Sequence, residues 1–154
     1  MAHQIHLENG VILETFAKML VINEKDEALI LTISEYKAHP EKSFTPDLPG
    51  GMVEIADGEM EKMGAIRETE EESGIVLDPK NVHLGYVSTR FMTEENKSVN
   101  GFVYTARLDH TPNVRISWEH SAYEWVPINE LLSTKQFREF LKESIGFIID
   151  NKLF

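Results

Sequence analysis

Four carboxylates fall within five positions at Glu68-Thr69-Glu70-Glu71-Glu72, with Arg67 before them and Gly74 just after. An α-helix has 3.6 residues per turn. On a helix, Glu68, Glu71 and Glu72 therefore share one face at i, i+3 and i+4, and Glu70 points away. Like charges so placed destabilise an isolated helix by roughly 0.2 to 0.5 kcal/mol per pair. A hard divalent cation offsets that repulsion. Mg²⁺ takes oxygen ligands and commonly bridges one or two carboxylates to substrate phosphates, where it can polarise a phosphoryl oxygen and activate water. A solvated acidic helix face would show the same run, so the spacing by itself leaves both readings open.

The rest of the chain must supply what holds such a helix. Its 154 residues suit one compact domain, residues 1–154, and 42% apolar residues are enough for a core. The chain has no cysteine, which excludes disulfides, zinc–thiolate sites and cysteine nucleophiles. A formal net charge of −11 argues against nucleic acid as a partner. It would also repel an anionic substrate unless cations intervene. The N-terminal MAHQIHLENG has neither a basic region nor an apolar core, and no apolar run approaches the length of a membrane helix. The expectation is a cytoplasmic protein without a membrane partner.

Periodicity gives the elements. Val11–Thr15, Lys18–Asn23 and Ala28–Ile33 read as strands, with Glu24–Glu27 as a hairpin connection. Glu35–Asp47 reads as a surface loop, Leu48-Pro49-Gly50-Gly51 as a turn and Met52–Glu54 as a short strand. Asp57 can cap a helix from Glu59 to Ser73 that Gly74 ends. Val82–Ser88 and Val99–Leu108 are strands around a polar Thr93–Ser98 loop, and Glu124–Val126 is a short strand. Pro127 opens a helical Ile128–Leu132. A last helix, Gln136–Asp150, carries Phe137, Phe140, Leu141, Ile145 and Ile148 on one face. Strands flanking an acidic helix, with a second helix at the end, predict an α/β (α+β) fold: a mixed sheet between helices on both faces.

The acidic segment does not stand alone. Gly50-Gly51 lies upstream, Glu59 follows, seven residues separate Glu59 from Arg67, and Arg67-Glu68, Glu71-Glu72, Gly74 and Ile75 complete the pattern. This resembles the Nudix (MutT-like) hydrolase signature, in which a Gly and a Glu precede R-E-U-x-E-E-x-G-U, U being aliphatic. Two departures stand out. Seven residues rather than five separate Gly51 from Glu59, a lengthening within Ile55-Ala56-Asp57, and Thr69 holds a position that is usually aliphatic.

The resemblance implies an α/β/α sandwich and metal-dependent hydrolysis of a nucleoside diphosphate linked to another group, with Mg²⁺ or Mn²⁺ as cofactor. It makes Glu68, Glu71 and Glu72 metal ligands and the Gly51 carbonyl a backbone ligand. Glu59 assists the metal site or pairs with Arg67, and Arg67 orients carboxylates. Some members supply a further Glu five residues before a Glu-Trp pair. Glu119 stands so before Glu124-Trp125, as an extra metal ligand or general base, or else as an exposed loop residue. His120 beside it is a candidate assistant or a structural His. The resemblance also leaves room for a homodimer.

Substrate choice lies outside the signature. Phe91 stands where ADP-ribose-cleaving members often carry Pro, and the same region lacks the Tyr of dinucleoside-polyphosphate members. By elimination the expected substrate is a free nucleoside triphosphate, including modified or deoxy forms, with ADP-ribose or another nucleoside-diphosphate derivative as the alternative. A nucleotide-sensing module without turnover is a further reading. Tyr36, Phe44, Arg90, Phe91 and Trp118 are candidates for contact with base or phosphates, because aromatic faces stack on bases.

Overall fold

A computed structural model describes residues 2–154. Among these residues eight strands form one sheet: β1 (Gln4–His6), β2 (Ile12–Ile22), β3 (Glu27–Ile33), β4 (Pro46–Asp47), β5 (Gly50–Met52), β6 (Val82–Met92), β7 (Lys97–Arg107) and β8 (His120–Pro127). The helices are α1 (Glu61–Ser73), α2 (Leu131–Thr134) and α3 (Glu139–Asp150). The sheet runs β4-β3-β2-β7-β6, with β1 and β5 also paired to β2 and β8 to β3. β2 and β7 are parallel along their whole length and the other pairs antiparallel, so the sheet is mixed as predicted.

Alternation along the central strands builds two cores. Ala17, Met19 and Val21 of β2 and Leu29 and Leu31 of β3 face Ala65 and Ile66 of α1. Leu20 and Ile22, with Ala28 and Ile30, face Leu141, Ile145 and Ile148 of α3. Successive side chains of a strand point to opposite faces, so one apolar run serves both layers. This is the sandwich expected from the sequence.

Several boundaries differ, each for a local reason. Val11–Thr15 and Lys18–Asn23 are parts of one continuous strand, because β7 pairs with every residue of β2 from Ile12 to Ile22. The turn between β2 and β3 is tight: Asn23 Oδ1 accepts from the N–H groups of Lys25 and Glu27. Yet the two strands pair only at Ile22–Ala28. Beyond that point β2 goes to β5 and β7, and β3 to β4 and β8. The strand expected at Met52–Glu54 lies earlier, at Gly50–Met52, where Gly50 and Gly51 pair with Lys18 and Ala17. Gly50 has φ +143°, and a Cβ there would stand 2.2 Å from the Ala17 carbonyl oxygen.

Asp57 does not cap α1. It ends a 3-10 turn at Ile55–Asp57, the helix starts at Glu61, and Met60 precedes it without a side-chain cap. The added residues before Glu59 are thus housed in that turn, which Gly58 closes at φ +82°. Gly74 ends α1 as expected, at φ +76° with its N–H on the Glu70 carbonyl. Strand β6 runs on to Met92, which shortens the polar loop to 93–96, and β8 extends back to His120. The Glu35–Asp47 loop contains a 3-10 turn at Pro40–Lys42 and the short β4. Ile128–Glu130 forms a 3-10 turn leading into α2, and α3 begins at Glu139, so Phe137 packs into the core from outside the helix. No helix among the described residues is long and apolar enough to cross a membrane.

Candidate active site

Helix α1 approaches the sheet through small and polar residues. Gly64, Ala65, Ile66, Thr69, Glu72 and Ser73 are its buried positions. The unusual Thr69 is fully buried, and its hydroxyl donates to the Ala65 carbonyl at 2.7 Å, which satisfies the polar group inside the helix. Glu72 is 4% exposed, and its Oε1 accepts from the Gly50 N–H at 2.8 Å. Glu68 lies against Gly51: a Cβ on Gly51 would stand 2.8 Å from the Glu68 carboxyl carbon. The Gly50-Gly51 turn and the acidic face of α1 therefore touch, and a side chain at Gly51 would push the Glu68 carboxylate from its place.

Arg67 organises the outer carboxylates. Its Nε donates to Glu59 Oε2 at 2.7 Å and its Nη2 to Glu59 Oε1 at 3.0 Å. Its Nη1 reaches Glu68 at 3.1 Å and Glu71 at 3.3 Å. Glu59 also accepts from the Glu54 N–H at 2.9 Å. It thus stands outside the helix, as the partner of Arg67. The Arg67 hydrogen bonds hold the Glu59 carboxyl below its ordinary range. The acidic side chains lean on Arg67 and on the Gly50 amide, and among the described residues no three His, Asp or Glu side chains already converge as a ligand set. Glu70 is exposed and apart, as expected.

The inner pair, half-buried Glu68 and buried Glu72, behaves differently. Burial raises the Glu68 carboxyl against the pull of Arg67, with Glu71 and Glu119 adding to the rise. Burial pushes Glu72 up to about 7, against the attraction of Lys18. A carboxylate taken out of water is costly unless a cation meets it. The donors are hard oxygens, Glu72 buried and Glu68 half-buried, and a glycine backbone lies against them. That set fits a hard divalent cation. Glu68, Glu71, Glu72 and the Gly51 carbonyl are the residues that could hold it.

A cleft of about 390 Å³ opens beside Glu72, where β2 and β3 part. Glu119 lines it together with Tyr36, Lys42, Trp118, His120, Lys18 and Arg138. The loop carrying Glu119 is fastened to the end of β3: the Ser34 N–H donates to the Glu119 carbonyl at 2.9 Å and the Ser34 hydroxyl to that of Trp118 at 3.0 Å. A second cavity of about 270 Å³, lined by Phe16, Gly51, Met52, Phe140 and Leu141, shares Lys18, Lys42 and Arg138 with the first. Those three cations lie where the two lobes meet, with Lys18 and Arg138 paired to the buried Asp47 and Lys42 beside them. Tyr36 and Trp118 stand at the first lobe as the sequence suggested. Arg90 and Phe91 are on β6, at one end of the strand order, and line neither lobe, and neither does Phe44.

Sequence reasoning did not find Lys18, Lys42, Asp47 or Arg138. Asp47 is 5% exposed and accepts from Lys18 Nζ at 3.0 Å, Arg138 Nη2 at 3.2 Å and the Leu48 N–H at 2.9 Å. His120 Nε2 lies 3.9 Å from it. Burial works to raise the Asp47 carboxyl, but Lys18, His120 and Arg138 outweigh it and hold it well below the usual carboxylate range. The one local signal was a lone lysine in the apolar stretch KMLVIN.

Residues 15–145 match the NUDIX domain family model. The chain is 28% identical over 120 residues to the asymmetrical bis(5'-nucleosyl)-tetraphosphatase of Caenorhabditis elegans, covering 78% of this chain and 84% of that protein. It is 33% identical over 125 residues to the enzyme of the same name from Sus scrofa, covering 77% and 76%. Among solved structures, the MutT protein from Methanosarcina mazei Go1 superposes with a TM-score of 0.72 at 28% identity, over 91% of this chain and 96% of that one. A C. elegans Ap4A hydrolase binary complex gives a TM-score of 0.63 at 19% identity, over 90% and 97%, a likeness of fold.

Proposed function

The chain belongs to the Nudix family and is a hydrolase of phosphate anhydrides, and within that activity we propose that it cleaves a nucleoside polyphosphate whose phosphate chain crosses the Lys18–Lys42–Arg138 ridge. The observation that carries this reading is the ridge itself. It joins two lobes and lies beside the buried Glu72. In a molecule of net charge −11 it gathers three cations in one place, two of them shared with Asp47.

Nudix hydrolases use a divalent metal, here Mg²⁺ with Mn²⁺ as substitute, which supplies neutralisation of the phosphates and polarisation of the attacked phosphoryl group when bound. Glu68, Glu71, Glu72 and the Gly51 carbonyl would hold it. Arg67 sets the direction of Glu68 and Glu71 and keeps Glu59 in place. Water adds to phosphorus in line with the anhydride oxygen. Its proton passes to a carboxylate of the site, for which Glu119, exposed at the cleft, is the candidate. The P–O bond to the leaving phosphate breaks, and Lys18, Lys42 and Arg138 face the negative charge that remains. Catalysis of this kind is mostly positioning and charge stabilisation.

Two lobes on one ridge favour a two-ended substrate, a dinucleoside polyphosphate, with one nucleoside beside Tyr36 and Trp118 and the other beside Phe16 and Phe140. The names of the curated relatives point the same way. A free nucleoside triphosphate, the choice by elimination from the sequence, would use one lobe only. A panel of dinucleoside tetraphosphate, nucleoside and deoxynucleoside triphosphates and ADP-ribose, with Mg²⁺ or Mn²⁺ and with products separated by chromatography, decides. The expected result is unequal cleavage of the tetraphosphate to a triphosphate and a monophosphate. Faster turnover of triphosphates would select the one-lobe reading, and faster turnover of ADP-ribose would remove the polyphosphate ridge from the account.

A further inference from the structure

Apart from the α1 glutamates, Asp47 is the carboxylate whose burial most needs a reason. It is 5% exposed, and an uncompensated buried charge costs several kcal/mol. Its partners come from elements far apart in the chain: Lys18 from β2, Arg138 from the segment before α3, His120 from the start of β8 and the Leu48 N–H from its own turn.

Those partners lead to both halves of the site. Lys18 Nζ, while bound to Asp47, also donates to the carbonyls of Leu48 and Gly50, each at 3.3 Å. It thereby ties the turn that ends in Gly51. The Gly50 N–H in turn holds Glu72. In the other direction, His120 directly follows Glu119, and its ring is buried against Asp47 with Nδ1 making no hydrogen bond among the described residues. The charge of Lys18 already acts on Glu72. Without Asp47, that ammonium can turn to Glu72, whose carboxyl it already attracts, which would take a candidate ligand out of service.

We infer that Asp47 is a positioning residue: by holding Lys18 on the Leu48–Gly51 turn, and by abutting His120 beside Glu119, it keeps the two halves of the site in one geometry and leaves Glu72 free for a cation. The inference rests on the proposed function for what the geometry serves, but its test does not depend on turnover alone.

The test is Asp47→Asn, which removes the charge and keeps the shape. Mn²⁺ binding is followed by the paramagnetic resonance signal of the free ion, and kcat and KM are measured separately well below the melting temperature. Groups that orient metal ligands typically contribute about 10- to 100-fold to metal affinity or activity. The expected result is therefore at least about 10-fold weaker Mn²⁺ binding and at least about 10-fold lower kcat. Asp47→Asn with unchanged Mn²⁺ affinity and kcat, and only a lower melting temperature, would overturn the inference.

The double variant Asp47→Asn/Lys18→Met guards against a single variant that fails to fold, because removing both partners of a buried pair is usually milder than removing one. With the misdirected ammonium gone, Mn²⁺ binding recovers in part, limited by the untied Gly51 turn, while kcat stays at least about 10-fold down. A double variant with the parent kcat, or one that binds Mn²⁺ more weakly than Asp47→Asn alone, sinks the proposal. If the parent chain hydrolyses no nucleotide at all, the proposed function fails, and the Mn²⁺ titrations still read the clamp.

Discussion

Helices α1 and α3 cover opposite faces of one sheet and are built differently. α3 buries Leu141, Ser144, Ile145 and Ile148, with Phe140 and Ile149 packed beside them. α1 buries Gly64, Ala65, Ile66, Thr69, Glu72 and Ser73. The first helix is held by apolar area, the second by close approach and by polar groups that find partners. A Cβ on Gly64 would come 3.1 Å from Val53, a measure of how tightly α1 sits on the sheet. Both faces of the sheet carry an apolar core, and the chemistry lies on the α1 face. Helix α1 carries its buried carboxylate beside an apolar core of its own, where Ala65 and Ile66 meet β2 and β3.

The sharpest way to break this comparison is to swap the consequences. Glu72→Gln keeps the acceptor for the Gly50 N–H and removes a buried charge. It should lower kcat by about 100- to 1000-fold, the scale of losing a group that stabilises transition-state charge, while the melting temperature without metal stays the same or rises. Ile145→Ala opens a cavity on the α3 face. It should cost about 2 to 5 kcal/mol, roughly 5 to 15 °C in melting temperature for a chain of this size, and leave kcat per folded molecule near the parent value. Calorimetry and steady-state kinetics on the same preparations check both. A destabilised Glu72→Gln with full activity would reverse the assignment of the two faces.

Next in size is Gly51→Ala. The added Cβ meets the Glu68 carboxylate at 2.8 Å and must displace it or the turn. A misplacement of about 1 Å at a reacting centre can cost about 100-fold in rate. The expected outcome is a loss of that order in kcat, accompanied by weaker Mn²⁺ binding. Parent-like kinetics would show that Gly51 does not need to approach Glu68.

How legible each face was in the sequence follows from the same difference. α3 announces itself by Phe140, Leu141, Ile145 and Ile148 at helical spacing, and β2, β3 and β7 by apolar runs, because burial leaves a periodic trace. The acidic face of α1 was legible for another reason: Glu68, Glu71 and Glu72 are neighbours in sequence, and the helix alone brings them together. Asp47, Lys18, His120 and Arg138 were not, since their meeting depends on where β2 and β3 part, and no period encodes that. The start of α1 was misplaced because Asp57 looked like a cap, whereas the left-handed Gly58 and the Glu59–Glu54 hydrogen bond define a separate turn.

The Asp47 network also tests how the charged face responds to acid. The native carboxyl is held below its ordinary value, so Asp47 stabilises the fold above the unfolded-state value of about 4, and that contribution is lost as pH falls towards the native value. Between pH 6 and pH 3 the parent should lose at least about 1 kcal/mol more than Asp47→Asn, read from urea midpoints. Equal losses would mean that the pairs with Lys18 and Arg138 add nothing net.

The smallest effect belongs to α3, at a glycine that does no chemistry. Gly146 lies inside the helix with negative φ, and a Cβ there would meet Leu132 Cδ1 at 3.6 Å, an ordinary contact. Nothing in the geometry requires glycine, unlike Gly51 on the other side of the molecule. Gly146→Ala reduces the freedom of the unfolded chain and should stabilise by about 0.5 to 1 kcal/mol, roughly 1 to 4 °C, with kcat and Mn²⁺ affinity unchanged. The two glycine-to-alanine changes thus carry opposite signs for reasons fixed by their neighbours. A Gly146→Ala variant that melts lower, or that loses activity, would mean that α3 also bears on the site and that the division between the faces is not the one drawn from their buried residues.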